Sequence, residues 1–160
     1  MENKSKNPVT VKGVVFEGNR VWLRLNERGE WELPGGKPDP ELDKTLEDTV
    51  VRELDEELGF QVEPLEKVGE SIYELENQRG EVVGVNVISY LCRFIAKVGE
   101  QELEGEAGKA EFNTFDLDEV SELNMPSFYK EAINVAWERW QLLQESVELD
   151  NETRRGLDLR

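Results

Sequence analysis

The chain has 160 residues, 38% of them hydrophobic, which is enough for one domain with a substantial core. Its 36 Asp and Glu outnumber 19 Lys and Arg, for a formal charge of −17. That field disfavours nucleic acid and anionic membranes as partners, and it repels a phosphate substrate unless metal ions screen the site. With a single cysteine, Cys92, and no histidine, the sequence excludes an intramolecular disulfide, a histidine general base and a His-rich zinc site.

Residues 1–8 are polar and lack the apolar core of a signal peptide, and no segment reaches the roughly 20 apolar residues of a membrane span. They are expected to form a flexible tail ahead of one domain over residues 9–149, in a soluble, cytoplasmic protein. Val9–Phe16 and Arg20–Leu25 read as strands joined by a tight turn at Gly18-Asn19. A short strand at Trp31–Leu33 then breaks at Pro34-Gly35-Gly36. Leu46, Val50, Leu54 and Leu58 recur every fourth residue, with Val51 beside them, which predicts an amphipathic helix ended by Gly59.

The other side of that helix is acidic. Glu53, Glu56 and Glu57 are spaced i, i+3, i+4 and share a face, with Glu57 at the border of the apolar stripe. Crowded carboxylates repel one another, and partial burial makes each charge more costly. A divalent cation relieves both penalties, and hard oxygen donors of this kind suit Mg2+ or Mn2+. Spacing alone is equally compatible with a solvated acidic face.

The residues around the carboxylates are more specific. Arg52-Glu53-Leu54-Asp55-Glu56-Glu57-Leu58-Gly59-Phe60, preceded by Glu32-Leu33-Pro34-Gly35-Gly36-Lys37, resembles the box of the Nudix hydrolase family. The resemblance covers roughly residues 9–140. It implies an α/β (α+β) fold, an αβα sandwich around a mixed sheet, and hydrolysis of nucleoside diphosphates linked to another moiety. It also implies Glu53, Glu56, Glu57 and the Gly35 carbonyl as metal ligands, Arg52 as the group that orients them, and Arg24 and Lys37 as contacts to substrate phosphate. The first half of the box departs from the pattern. Lys44 stands where an early Glu belongs and Pro38 where a Gly belongs, so Pro38-Asp39-Pro40 reads as a two-residue insertion. Glu41, Asp43 or Glu47 then replaces the missing carboxylate.

Beyond the helix, Leu65–Glu76 and Glu81–Lys97 read as strands linked by a turn at residues 77–80, the second apolar on both faces and therefore central. Tyr73 and Tyr90 are core aromatics or platforms for a nucleobase. Cys92 lies in an apolar run and reads as a small buried side chain. Residues 99–109 form an acidic, Gly-rich loop. Glu111, ahead of an aromatic strand and a Leu117-Asp118-Glu119 helix start, resembles a late family glutamate that reaches the metal site or orients water, with Glu104 and Glu106 as substitutes. Ser127–Leu149 reads as a long helix whose stripe includes Trp137 and Trp140, covering the sheet and offering a surface for a homodimer. Residues 150–160 lack periodicity and are expected to be a mobile tail.

These readings converge on metal-dependent hydrolysis of a diphosphate bond in a nucleoside triphosphate or other nucleoside diphosphate derivative. Arg52, Glu53, Glu56, Glu57 and Glu111 would form the catalytic set. With no histidine, a glutamate must take the proton of the attacking water, and Glu56, Glu57 and Glu111 are the candidates. The alternative is a nucleotide-binding or regulatory module on the same fold, without turnover.

Overall fold

Strand β1 (Val9–Glu17) is the spine of the computed structural model, which describes residues 7–101 and 111–158. Its side chains alternate as a strand requires. Val11 and Val15 face helix α1 (Leu46–Leu58), while Val14 and Phe16 face helix α3 (Ser127–Asp158). A Cβ at Gly13 would stand 2.9 Å from Leu54 Cδ2 and 3.0 Å from Val50 Cγ2. The missing side chain lets α1 lie directly on β1.

The remaining strands are β2 (Arg20–Leu25), β3 (Trp31–Glu32), β4 (Gly35–Gly36), β5 (Phe60–Glu76), β6 (Val82–Lys97) and β7 (Glu111–Asp116). They form a mixed sheet in the order β3-β2-β1-β6-β5, with β4 on β1 and β7 on β2. The β1–β6 pair is parallel, running from Val9 opposite Asn86 to Val15 opposite Cys92, and the other pairs are antiparallel. Val50, Leu54 and Leu58 of α1 close one face with Phe60, Val62, Tyr90 and Phe112. Tyr129, Ala132, Ile133 and Ala136 of α3 close the other with Leu23, Leu33 and Leu91, next to Val120 of the short helix α2 (Leu117–Val120). The architecture is an αβα sandwich with an interior β6, as the alternation in that strand predicts.

Two boundaries differ from expectation. β5 begins at Phe60, not Leu65, because Pro64 falls at a register shift, where its missing N–H costs no ladder bond. The last helix does not stop near Leu149 but continues to Asp158 through the residues read as a tail. Every described side chain from Gln141 to Arg155 is exposed, so no apolar period marks this extension. Cys92 is buried, and burial pushes its thiol up to about 12, which fits the packing role. Among the described residues, no helix is long and apolar enough to cross a membrane.

Candidate active site

Helix α1 is fixed at both ends. Thr45 and Asp48 form a reciprocal capping box at its start, and Gly59 ends it in the left-handed conformation at φ 71°. Gln101 Nε2 donates to the carbonyls of Asp55 (2.8 Å) and Glu56 (3.1 Å), and Lys97 Nζ donates to that of Leu58 (3.2 Å). The turn that carries Glu53, Glu56 and Glu57 is thereby held against the sheet.

Facing it is β4, paired to β1 with Gly35 opposite Lys12 and Gly36 opposite Val11. Gly35 has φ 148°, and a Cβ there would run into the Val11 carbonyl oxygen. A Cβ on Gly36 would fall on the Glu53 carboxylate. The double glycine therefore lets a backbone strand pass between β1 and the acidic face, where the Gly35 N–H donates to Glu57 Oε1 at 3.1 Å.

Arg52 gathers the acidic groups. Its Nε and Nη2 donate to both oxygens of Asp43 at 2.9 and 2.8 Å, and its Nη1 reaches both oxygens of Glu56 at 3.0 Å and Glu53 at 3.5 Å. A further bond runs from Nη2 to the Lys37 carbonyl at 3.0 Å. Asp43 also accepts from Thr49 Oγ1 and the Asp39 N–H, each at 2.9 Å. The Arg52 guanidinium beside it holds the Asp43 carboxyl well below the usual range. Of the three acids that could replace the missing glutamate, Asp43 is the one on Arg52; Glu41 and Glu47 are exposed. Lys44 is exposed too, and its backbone N–H donates to Asp48.

Glu53 and Glu57 are less fully compensated, Glu53 by Arg52 Nη1 at 3.5 Å and Glu57 by the Gly35 N–H at 3.1 Å. Burial, and for Glu53 the neighbouring Glu56, raises the Glu53 carboxyl. Burial also pushes Glu57 up to about 7, against the attraction of Lys12 and the Gly35 hydrogen bond. Among the described residues no three acidic, His or Cys side chains are gathered ready to hold a metal, since Glu56 is turned to Arg52. The donor set nevertheless fits a hard divalent cation. It is all oxygen, partly buried, and short of positive charge at Glu53 and Glu57.

On the other side of β4 lies a second ionic cluster that sequence reasoning missed. Glu32 is almost buried and accepts from Arg24 Nη1 (2.8 Å), Asn26 Nδ2 (3.0 Å) and Lys12 Nζ (3.5 Å). Burial alone would raise its carboxyl, but Lys12, Asn26 and Arg24 together bring it below the usual value. The signal for Lys12 was present: it shares the inward face of Val14 and Phe16 on β1. Beside the cluster opens a cavity of about 360 Å³ lined by Lys12, Arg28, Lys37, Tyr73, Val85 and Tyr129, among others.

The predicted residues therefore divide. Arg52, Glu53, Glu56, Glu57 and Gly35 come together, and Lys37 lies between them and the cavity. The Arg24 guanidinium is engaged by Glu32 and by Glu27 (3.2 Å). Glu111 is exposed at the start of β7, opposite Leu25, while Glu104 and Glu106 lie outside the described residues. Tyr90 is in the core, and Tyr73 lines the cavity with its hydroxyl donating to Glu30 at 3.2 Å.

A sheet clasped by two helices, with a glycine turn facing a glutamate-bearing helix, is the arrangement of the NUDIX domain, and the model of that family matches residues 6–136. The chain belongs to the NUDIX family. A MutT-like protein of Streptomyces ambofaciens is 46% identical over 63 residues, 38% of this chain and 40% of that protein, so the match spans well under two thirds of the relative. An ADP-ribose pyrophosphatase from Streptococcus suis shares the fold at TM-score 0.57 and 24% identity, over 84% of this chain and 92% of that one. The NUDIX domain of Shewanella oneidensis NrtR, complexed with ADP ribose, does so at TM-score 0.59 and 24% identity, over 85% and 90%. NrtR has also been seen with a 27mer DNA, in a chain of which the match covers 61%, at TM-score 0.54, 19% identity and 82% of this chain.

Proposed function

We propose that this protein hydrolyses the diphosphate bond of a nucleoside triphosphate or another nucleoside diphosphate derivative, using a divalent metal. The observation that carries the reading is the undercompensated Glu53–Glu57 pair next to a cavity whose lining includes Lys12, Arg28 and Lys37 beside Glu32 and Glu76. Glu53, Glu56, Glu57 and the Gly35 carbonyl would hold Mg2+ or Mn2+. When bound, such a metal neutralises diphosphate charge and acidifies water. The protein's own groups do the rest. Arg52 holds the carboxylates in place, Lys37 attracts phosphate at the cavity rim, and the apolar wall at Tyr73 and Val85 receives the less polar part of the substrate. A glutamate, Glu56, Glu57 or Glu111, takes the proton from water. With no histidine and only a buried thiol, water is the attacking nucleophile and no covalent enzyme intermediate forms.

A panel of nucleoside triphosphates, sugar nucleotides and ADP-ribose with magnesium, read by chromatographic detection of the nucleoside mono- or diphosphate released, tests this. Hydrolysis in oxygen-18 water should place one solvent oxygen in a phosphate-bearing product. Isolation of a phosphorylated or nucleotidylated protein would overturn the mechanism, as would turnover that survives exhaustive chelation.

The second reading, a nucleotide-binding regulatory module, is favoured by the likeness to the ADP-ribose-bound NrtR domain. It predicts binding without release of any nucleoside monophosphate. The charge of −17 argues against nucleic acid as a direct partner of this chain. A cytoplasmic location belongs to the same proposal, as does a homodimer through exposed Leu142, Leu143 and Val147 of α3.

A further inference from the structure

Lys12 is placed where a lysine is expensive. It sits in the middle of the sheet with its side chain 7% exposed, and its ammonium lies 6.0 Å from the centre of the Tyr129 ring. A buried ammonium has three donors to satisfy, and an incompletely paired buried charge costs several kcal/mol. Among the described residues it makes one hydrogen bond, a long one of 3.5 Å to Glu32. Glu32 is also served by Arg24 at 2.8 Å and Asn26 at 3.0 Å, so Lys12 is one of three donors sharing that carboxylate. The ammonium also lines the cavity, together with Arg28 and Lys37 and the acids Glu32 and Glu76. In a chain of charge −17, a lining with three cations against two acids is more positive than the chain as a whole.

We propose that Lys12 is the anion-binding group of this cavity and that its ammonium takes a phosphate oxygen of the bound nucleotide. The inference deepens the hydrolase reading and rests on it. Lys12 is opposite Gly35 in the β1–β4 pairing, so a phosphate on its ammonium lies beside the turn that contacts Glu57. The cost of burying the amine in the free protein is recovered when an anionic oxygen completes its shell. Lys12 thus serves as a binding residue that favours doubly charged phosphate ligands over neutral nucleosides.

The test titrates α,β-methylene-ADP, which cannot be cleaved at that bridge, into wild type, Lys12→Met and Lys12→Arg in the presence of magnesium. Thermal unfolding is measured on each. Loss of one charge-assisted hydrogen bond should weaken binding of the analogue by about tenfold or more in Lys12→Met. Lys12→Arg should stay within about threefold of wild type, and Lys12→Met, in which Arg24 and Asn26 still hold Glu32, should unfold earlier than wild type but stay folded at the temperature of the titration. If Lys12→Met binds the analogue as well as wild type does, Lys12 serves structure alone and the inference falls while the hydrolase reading stands. If wild type itself does not bind the analogue, both fall together. A measurement on unaltered protein guards against a variant that fails to fold. The side-chain ammonium resonance of Lys12 should shift on adding the analogue, and an unmoved resonance overturns the proposal.

Discussion

Glu32 is buried and Glu57 partly buried, both close to the same short strand, yet burial has opposite outcomes for them. Glu32 receives Arg24, Asn26 and Lys12, and its carboxyl stays below the usual value. Glu57 receives one backbone N–H and more distant cations, and its carboxyl rises to about 7. Desolvation acts on both; the number of close donors decides which side wins. The lesson is that a buried acid signals a structural ion pair when its partners are present and a ligand site when they are missing.

The largest effect should come from Glu57→Gln, which keeps the shape and removes the charge. Turnover at saturating substrate should fall at least about a hundredfold, with weaker magnesium binding seen by calorimetry. Near-normal activity would place the metal elsewhere. The matching change on the paired side, Glu32→Gln, should act on stability. It leaves Lys12 and Arg24 beside a neutral amide, at a cost of about 3 kcal/mol in urea unfolding. An unchanged unfolding midpoint would mean that the cluster is not a structural pair.

The comparison also has a pH signature in metal-free protein. The Glu57 value is raised on folding, so its contribution to stability is fully present below the unfolded value near 4.5 and is lost as pH rises through about 7. Stability between these limits should therefore fall with rising pH, and Glu57→Gln should flatten that slope. Magnesium binding in the same window should release a proton, seen as a dependence of the binding heat on the buffer. A smaller effect is expected at Asp43→Asn, where Arg52 loses its bidentate partner and turnover should drop about tenfold. The smallest belongs to Lys44→Ala. Its side chain is exposed, and turnover should change less than tenfold.

The elements of this site were largely legible in the sequence. The i, i+4 leucines and valine gave α1, Gly59 its end, and the Arg-Glu and Glu-Glu pairs its acidic face, because each signal lies within a few residues. What could not be read depends on distant contacts. The choice of Asp43 over Glu41 or Glu47 is made by which acid the loop turns toward Arg52. The confinement of Arg24 is made by Glu32, a partner on the next strand. Lys12 was passed over because a lone lysine in a strand usually faces water, and only the packing of α3 over β1 shows that it does not. The helical run through residues 150–158 has no apolar partner to print a period, so its sequence resembles a tail.

Arg52 grips the chain at both ends of one loop, at the Lys37 carbonyl and at Asp43. The segment between them, Pro38 to Leu42, is tied back through the Asp39 N–H on Asp43, and Leu42 is 66% exposed. Closing a longer loop is cheap, about 0.6 kcal/mol for each doubling of its length, so chain added at the exposed Pro40-Glu41 leaves Lys37, Asp39 and Asp43 their contacts at small cost. The insertion expected at Pro38-Asp39-Pro40 would by this measure cost little. The same small cost makes the loop a splice point, where a short reporter peptide can be inserted a few residues from the site while Arg52 keeps its grip.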